Sequence, residues 1–288
     1  MKIIKLILLF IFSIHNIAFA NSHEFNSWIL NFKKLAIEKN ISKKTVDLVM
    51  DKAVFLPKVI KYDRYQPEFY EDTATYIKKR SNITKIKKGI EILNENENLI
   101  KRVEDEFLIE KELLLSLMGI ETNFGKYLGK MDIVSSLATL SFDKRRSEFF
   151  TNELLILLKL VDKGTIDPNI LYGSWAGAFG NFQFMPSTIK NHAIDYNSNS
   201  IIELKNIEDS FASAANYLNK LGWEKNGHCF YKVKLSENVP KKYLNTSAKK
   251  IKYKKKLSNF KKYIINYEQI PVKSNTIAAI VTPDKDII

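Results

Sequence analysis

Glu121 ends a strongly apolar run, LLLSLMGIETNFG (residues 113–125), and about fifty residues later the chain carries GSWAGAFGNFQFMPST (Gly173–Thr188). A carboxyl flanked by Leu117, Met118, Ile120 and Phe124 is placed to lose solvent, which disfavours its charged form and raises its pKa. An acid that keeps its proton near neutral pH can protonate a leaving oxygen and later take a proton back. The same spacing is compatible with a helix-end glutamate that faces water or pairs with Lys126. In the second segment Gly173, Gly177 and Gly180 let backbone approach a ligand closely or adopt positive φ. Ser174, Asn181 and Gln183 supply hydrogen bonds there, and Trp175, Phe179 and Phe182 supply aromatic faces. That mixture suits a sugar ring, with its apolar faces and hydroxyl edges, and it equally describes a helix-opening turn with packed aromatics. No Gly-Lys-Ser/Thr follows the glycines, so this is not a phosphate loop.

Helices must position both segments. Helical spacing runs from Glu24 to Val54, with Ser42 before Thr45, Val46 and Leu48 as a capped short helix. Residues 55–85 are less regular and tyrosine-rich, with Pro57 and Pro67 as breakers. Periodicity resumes over Ile86–Leu93, Leu99–Phe107, Lys111–Phe124 and Ser147–Lys163. Pro186 opens a helix running to about Tyr196, and another spans Asp209 to Leu221 before Gly222. After Trp223 short β-like runs (Cys229–Leu235, Tyr263–Tyr267, Ile277–Thr282) surround a lysine-rich stretch. The expected class is mainly α, in the α+β sense: a helical domain over residues 21–225 and a small, Lys-rich, β-leaning part over residues 226–288.

The first twenty residues read as a cleavable export signal: Lys2 and Lys5, an apolar stretch from Leu6 to Ile14, then Ala18-Phe19-Ala20. The apolar stretch is short for a membrane span, and no cysteine stands at the cut to take a lipid anchor, so the expected location is the periplasm. The lone cysteine, Cys229, excludes an internal disulfide and a cysteine metal cluster. Net charge is +13, or +11 once Lys2 and Lys5 are removed. Such a charge suits anionic envelope polymers or a membrane surface; export argues against nucleic acid. A lysine-rich genome and a solvated surface would produce the same count.

GIETNFG, SSLATLSFDKRRSEFF, GSWAGAFGNFQFMPST and AANYLNKLGW, in this order and spacing from about Tyr76 to Trp223, resemble the lytic transglycosylase B family of bacterial cell-wall enzymes, glycoside hydrolase family 103. The resemblance implies a lysozyme-like fold and peptidoglycan glycan strands as substrate. It implies that Glu121 is the sole catalytic acid and base, and that Ser174 and Gln183 are cleft residues near it. Arg145 and Arg146 match a pair that helps hold the glycan or its peptide, and Tyr217 and Tyr76 match cleft tyrosines. Hydrolysis with retention or inversion needs a second carboxylate. Asp132 and Asp143 lie in the right region, but nothing marks either as catalytic. In the family one Glu protonates the oxygen between N-acetylmuramic acid and N-acetylglucosamine, then removes the C6 hydroxyl proton, leaving a 1,6-anhydro sugar.

Two departures from that family stand out. Asp195-x-Asn197-x-Asn199 falls where some relatives carry a calcium loop, yet Ser200 replaces the usual glycine and Asn206 the late glutamate. We therefore expect no cofactor and a plain polar loop, with Asp195, Asn197 and Asn199 the residues a calcium ion would use. The family's closing aromatic-Asn-x-Ser-x-Tyr pattern is missing, so the C-terminal part is expected to be shortened, and Lys241–Lys262 carries ten lysines and no acid. That stretch reads as a solvated insertion or as a surface for an anionic partner. Two alternatives stay open beside the transglycosylase: a lysozyme-type muramidase that admits water, and a catalytically weak wall-binding protein.

Overall fold

The computed structural model describes residues 23–65, 72–227, 230–246 and 251–282. The expected signal segment, Cys229 and the last six residues lie outside them. The chain divides into two compact units, one of residues 1–66 and 82–225, the other of residues 67–81 and 226–288. The second unit thus begins where the sequence changes character, after Lys225, and also takes in part of the tyrosine-rich stretch.

In the first unit α1 spans residues 23–38 and α2 spans Lys43–Met50. Ser42 caps α2 as its sequence announces, its hydroxyl accepting the Thr45 N–H at 3.2 Å. Pro57 starts a helix rather than breaking one: α3 is Pro57–Arg64, with proline at the first turn, where its missing N–H costs nothing. After α4 (Thr73–Arg80, in the second unit) come α5 (Ile83–Glu95), α6 (Glu97–Phe107) and α7 (Lys111–Thr122). A two-residue strand, β1 (Met131–Asp132), pairs antiparallel with β2 (Tyr172–Gly173), Met131 opposite Gly173.

Between those strands lie α8 (Ile133–Phe142) and α9 (Ser147–Asp162). Helix α8 has no counterpart in the sequence periodicity. Every residue from Ile133 to Ser141 is buried, so the helix has no polar face from which a period could be read. It is the centre of the core, and Leu137 and Ala138 are fully buried within it. The first unit is completed by α10 (Pro186–His192) and α11 (Ile207–Lys220). Helix α10 stops short of Tyr196, because the loop after it is pulled towards Asp209 instead.

In the second unit the lysine-rich tail forms short 3-10 turns more than strand. Its only two-residue strands among the described residues, β3 (Lys255–Lys256) and β4 (Ile277–Ala278), pair antiparallel. A small core of Leu257, Phe260, Ile264 and Ile280 holds it together. Leu257 and Phe260 come from the lysine-rich stretch itself, so its described part is anchored rather than inserted. The architecture is mainly α with a small β component. Among the described residues no helix is long and apolar enough to cross a membrane.

Candidate active site

Helix α7 buries Leu114, Leu115, Met118, Gly119 and Thr122 on one stripe. Glu121 follows Leu114 by nearly two turns, which sets it at the margin of that stripe, beside the core but open to water. Thr122 is the last helical residue. Asn123, Phe124 and Gly125 then take left-handed backbone in succession, with φ of 51°, 60° and 80°. Asparagine and glycine tolerate that region, whereas at Phe124 it is strained. The ring of Phe124 folds back over the helix into space that exists because residue 119 is glycine: a Cβ there would lie 2.7 Å from Phe124 Cζ. GIETNFG therefore encodes a helix end that reverses on itself directly after the glutamate.

The glycine-rich segment docks onto this reversal. Thr122 is fully buried, and its hydroxyl donates to the Asn181 carbonyl at 2.9 Å while accepting the Gly125 N–H at 3.0 Å. Asn181, also buried, donates through its side-chain amide to Ser210 Oγ at 3.0 Å on α11. Gln183 sits at φ 51°, and its amide donates to the carbonyls of Gly180 (3.0 Å) and Leu128 (3.3 Å). The positive-φ glycines serve this internal fit rather than an approach to ligand. A Cβ at Gly177 would meet Leu137 Cδ2 at 2.4 Å, and one at Gly180 would meet Leu204 Cβ at 2.4 Å. Tyr217, half-buried on α11, meets Phe184 edge-on at 5.6 Å. Glu121, Gln183 and Tyr217 thus stand on three segments tied to one another.

Ser174 opens the same loop and braces it, its hydroxyl accepting the N–H groups of Ala176 (3.3 Å) and Ala178 (3.0 Å). Arg145 and Arg146 converge on Asp63, a carboxylate buried on α3. Arg145 Nη1 donates to Asp63 Oδ2 at 2.7 Å, and Arg146 Nη2 donates to Asp63 Oδ1. Both guanidinium groups keep an exposed side. Tyr76, on α4 of the second unit, lies under the Arg80 guanidinium at 3.8 Å. Sequence reading passed over Asp63, because a lone acid in an irregular stretch gives no sign of the two arginines, some eighty residues on, that it will gather.

Among the described residues the Glu121 carboxylate has no hydrogen bond and no ion pair. Lys126 does not reach it and lies instead over the Tyr127 ring at 5.5 Å. Burial raises the Glu121 pKa above the ordinary carboxylate range, with no charge or hydrogen bond sharing in the shift. Water reaches the residue nonetheless. The two facts describe a carboxyl open on one side and crowded by protein on the other, and it is the crowding that penalises the charge.

The other acids nearby in sequence have structural duties. Asp132 caps α8 by accepting the Ser135 N–H at 2.6 Å. Asp143 accepts from Arg64 Nη2 at 2.8 Å and is held below the usual carboxylate range chiefly by that bond. Buried Glu153 on α9 accepts the Ser187 N–H at the start of α10, at 2.8 Å.

The Asp195 loop closes on its own amides. Asp195 accepts from Asn199 (3.0 Å) and Ser200 (2.6 Å), and Asn199 Oδ1 accepts from Ile201 (2.9 Å). Asp209, fully buried, takes the N–H groups of Tyr196 and Glu203, each at 2.9 Å. Asn206 caps α11, accepting from Glu208 N–H at 2.8 Å, where a calcium loop would place a bidentate glutamate. One carboxylate with two neutral amides is a poor cage for a doubly charged ion. Among the described residues no group of three or more His, Cys, Asp or Glu is placed to hold a metal.

The family model described as Transglycosylase SLT domain matches residues 24–286. The chain belongs to this transglycosylase family. A relative, the membrane-bound lytic murein transglycosylase B of Escherichia coli strain K12, is 36% identical over 151 residues, covering 52% of this chain and 42% of that protein. The aligned part is thus less than half the length of that curated relative. Among solved structures, SltB3 of Pseudomonas aeruginosa in complex with NAG-NAM-pentapeptide superposes with a TM-score of 0.80 at 26% identity, over 91% of this chain and 70% of SltB3. The same protein with NAG-anhNAM-pentapeptide gives 0.79 at 26%, over 90% and 69%. Escherichia coli Slt35 in complex with calcium gives 0.63 at 30% identity, over 77% and 70%. These likenesses bear out the expected mainly α, lysozyme-like transglycosylase fold.

Two consequences can be measured. Thr122→Val keeps the shape but deprives the Asn181 carbonyl and the Gly125 N–H of their partner, a loss of about 1–3 kcal/mol. Urea unfolding of the two proteins reads that difference directly, and equal midpoints would deny the bond its role. For Glu121 the folded pKa lies above the unfolded one, so its contribution to stability is full below the ordinary carboxylate pKa and is lost as pH rises through the raised folded value. Glu121→Gln should therefore melt higher than wild type at neutral pH, with the gap closing below about pH 4. A gap that stays constant with pH would count against the raised pKa.

Proposed function

We propose that this chain is a peptidoglycan lytic transglycosylase that cleaves the β-1,4 bond between N-acetylmuramic acid and N-acetylglucosamine, with Glu121 as acid and then base. The observation that carries the reading is the isolation of Glu121. Among the described residues its carboxylate has no partner, burial raises its pKa, and Asp132, Asp143 and Glu153 are committed to caps and ion pairs. A protonated Glu121 can donate to the glycosidic oxygen as the bond breaks. With Asp132, Asp143 and Glu153 committed elsewhere rather than serving as nucleophile or water-activating base, the new glutamate anion takes the proton of the muramyl C6 hydroxyl. That oxygen closes onto C1, giving a 1,6-anhydro product without consuming water. The complexes of SltB3 with NAG-NAM-pentapeptide and NAG-anhNAM-pentapeptide support a substrate and product of this chemistry.

In this reading Gln183 and Tyr217 line the glycan path on segments tied to α7. Ser174 shapes the loop, and Arg145 and Arg146, splayed by Asp63, offer their exposed sides to the glycan or its stem peptide. Residues 1–20 serve as an export signal in this reading, and the chain works in the periplasm.

Digestion of purified sacculi followed by mass spectrometry tests the reading. Wild type should release anhydro-muropeptides, and Glu121→Gln should lower their yield by at least about 10²-fold, the scale of general acid–base catalysis. Free reducing ends in place of anhydro ends would make the protein a muramidase. Wall binding without product would leave only a binding protein.

We propose further that the Asp195 loop holds its shape without calcium, as its amide-closed carboxylate indicates. Thermal melts with calcium at about 1 mM, a concentration that saturates even weak extracellular calcium modules, should match melts in chelator. A rise of several degrees would show that the ion binds.

A further inference from the structure

The positive charge of this chain is not spread along it. Residues 1–225 carry 31 basic and 28 acidic side chains, whereas residues 226–288 carry 14 lysines against 4 acids. Ten of the thirteen net charges therefore sit in the last part of the chain. A general bias towards lysine does not by itself produce this, because the 26 lysines and 5 arginines of residues 1–225 are nearly balanced by 28 acids.

In the second unit most of the described lysines face water. Lys241, Lys242, Lys254, Lys256, Lys261 and Lys262 are all exposed. Among the described residues of 226–288 the one ion pair is Lys261 with Glu268 at 2.8 Å, itself open to solvent on both sides. The lysines are mounted on a firm aromatic base. Lys242 and Lys255 lie over the Tyr243 ring at 5.4 and 5.3 Å, and Tyr243 packs edge-on against buried Phe260 at 5.7 Å. Like charges held this close repel one another and weaken the compact state unless an anionic surface neutralises them.

Apolar side chains stand among these charges. Phe230, Ile265 and Ile277 are 82%, 70% and 61% exposed. Ile277 is directly opposite Lys256 across β3 and β4, which puts the two side chains on one face. The Ile265 N–H donates to the Lys234 carbonyl at 2.8 Å, so a second exposed isoleucine neighbours a second lysine. A soluble polyanion would satisfy the ammonium groups and leave the isoleucines in water. A lipid bilayer satisfies both, with phosphates for the lysines and the headgroup–acyl boundary for the apolar tips.

We propose that residues 226–288 form a membrane-surface element that recognises anionic phospholipid headgroups through its lysines and inserts Ile265 and Ile277 shallowly beside them. The proposal does not depend on the chemistry at Glu121.

Co-sedimentation of the full chain with vesicles tests it. Phosphatidylcholine vesicles containing about one third phosphatidylglycerol should bind at least about tenfold more tightly than pure phosphatidylcholine, which provides the baseline for any charge-independent association. Raising salt from about 0.05 M to about 0.5 M should remove the difference, since the Debye length falls well below the size of the patch. The triple variant Lys254→Glu, Lys256→Glu, Lys262→Glu should lose about tenfold or more on anionic vesicles. Ile265→Ser with Ile277→Ser should weaken binding several-fold at unchanged charge. Melting curves establish that both variants are folded, and the lipid and salt arms use wild type alone. Equal partition onto neutral and anionic vesicles overturns the proposal. So does tight binding to a soluble anionic polysaccharide with none to vesicles, which would reassign the patch to a wall polymer.

Discussion

One buried hydroxyl joins the two segments on which the site is built. Thr122 sits at the last turn of α7, where a helix leaves carbonyls unsatisfied and must find an exit. Its Oγ1 accepts from Gly125 inside the reversal and donates to the Asn181 carbonyl in the glycine-rich segment. Asn181 in turn reaches Ser210 on α11. With that chain of bonds intact, the residue before Thr122 has a fixed direction relative to Gln183 and Tyr217. Without it, each would ride on a separate element. Because all of these groups are buried, an unmade bond would cost more than a made one contributes, and that asymmetry makes the arrangement specific.

The chemical character of Glu121 follows from what its neighbours do elsewhere. A carboxylate is easily drawn into an ion pair, and this chain has arginines and lysines enough to do it. Among the acids that take arginine partners are Asp63 with Arg145 and Arg146, and Asp143 with Arg64. Asp132 and Glu153 are used as caps on α8 and α10. Each such commitment stabilises the framework. Among the described residues Glu121 has no compensating group, so burial acts on it unopposed and its proton is held more tightly.

Charge is divided unevenly between the two units. The first unit is nearly neutral and spends its acids on caps and pairs, while the second is strongly basic and pairs almost none of its described lysines. Its small core of Leu257, Phe260, Ile264 and Ile280 is enough to hold a surface but offers no buried acid to balance it. A scaffold of that kind presents charge outward, whatever surface it meets.

Much of this was legible in the chain itself. Amphipathic helices such as α5, α6, α9 and α11 declare themselves by period, and Ser42 declares its cap. GIETNFG, with its small residue before and its Asn-Phe-Gly after the glutamate, marks a helix end with a carboxyl at the edge of oil. Helix α8 was not legible, because a helix buried all round has no polar face to set a period. Nor was α3, where proline read as a breaker occupies the one helical position that suits it. The tail's aromatic and β-branched residues suggested strands, yet they are used mostly to pack 3-10 turns around Phe260. The sequence by itself determined which residue could be the acid, which amphipathic segments are helical, and where the charge lies, because these depend on residue type and local spacing. Only the tertiary structure decided that Glu121 has no partner among the described residues, that Asp63 splays two distant arginines, and that Thr122 locks the loop. Those are contacts between residues some sixty to eighty positions apart, and no local pattern carries them.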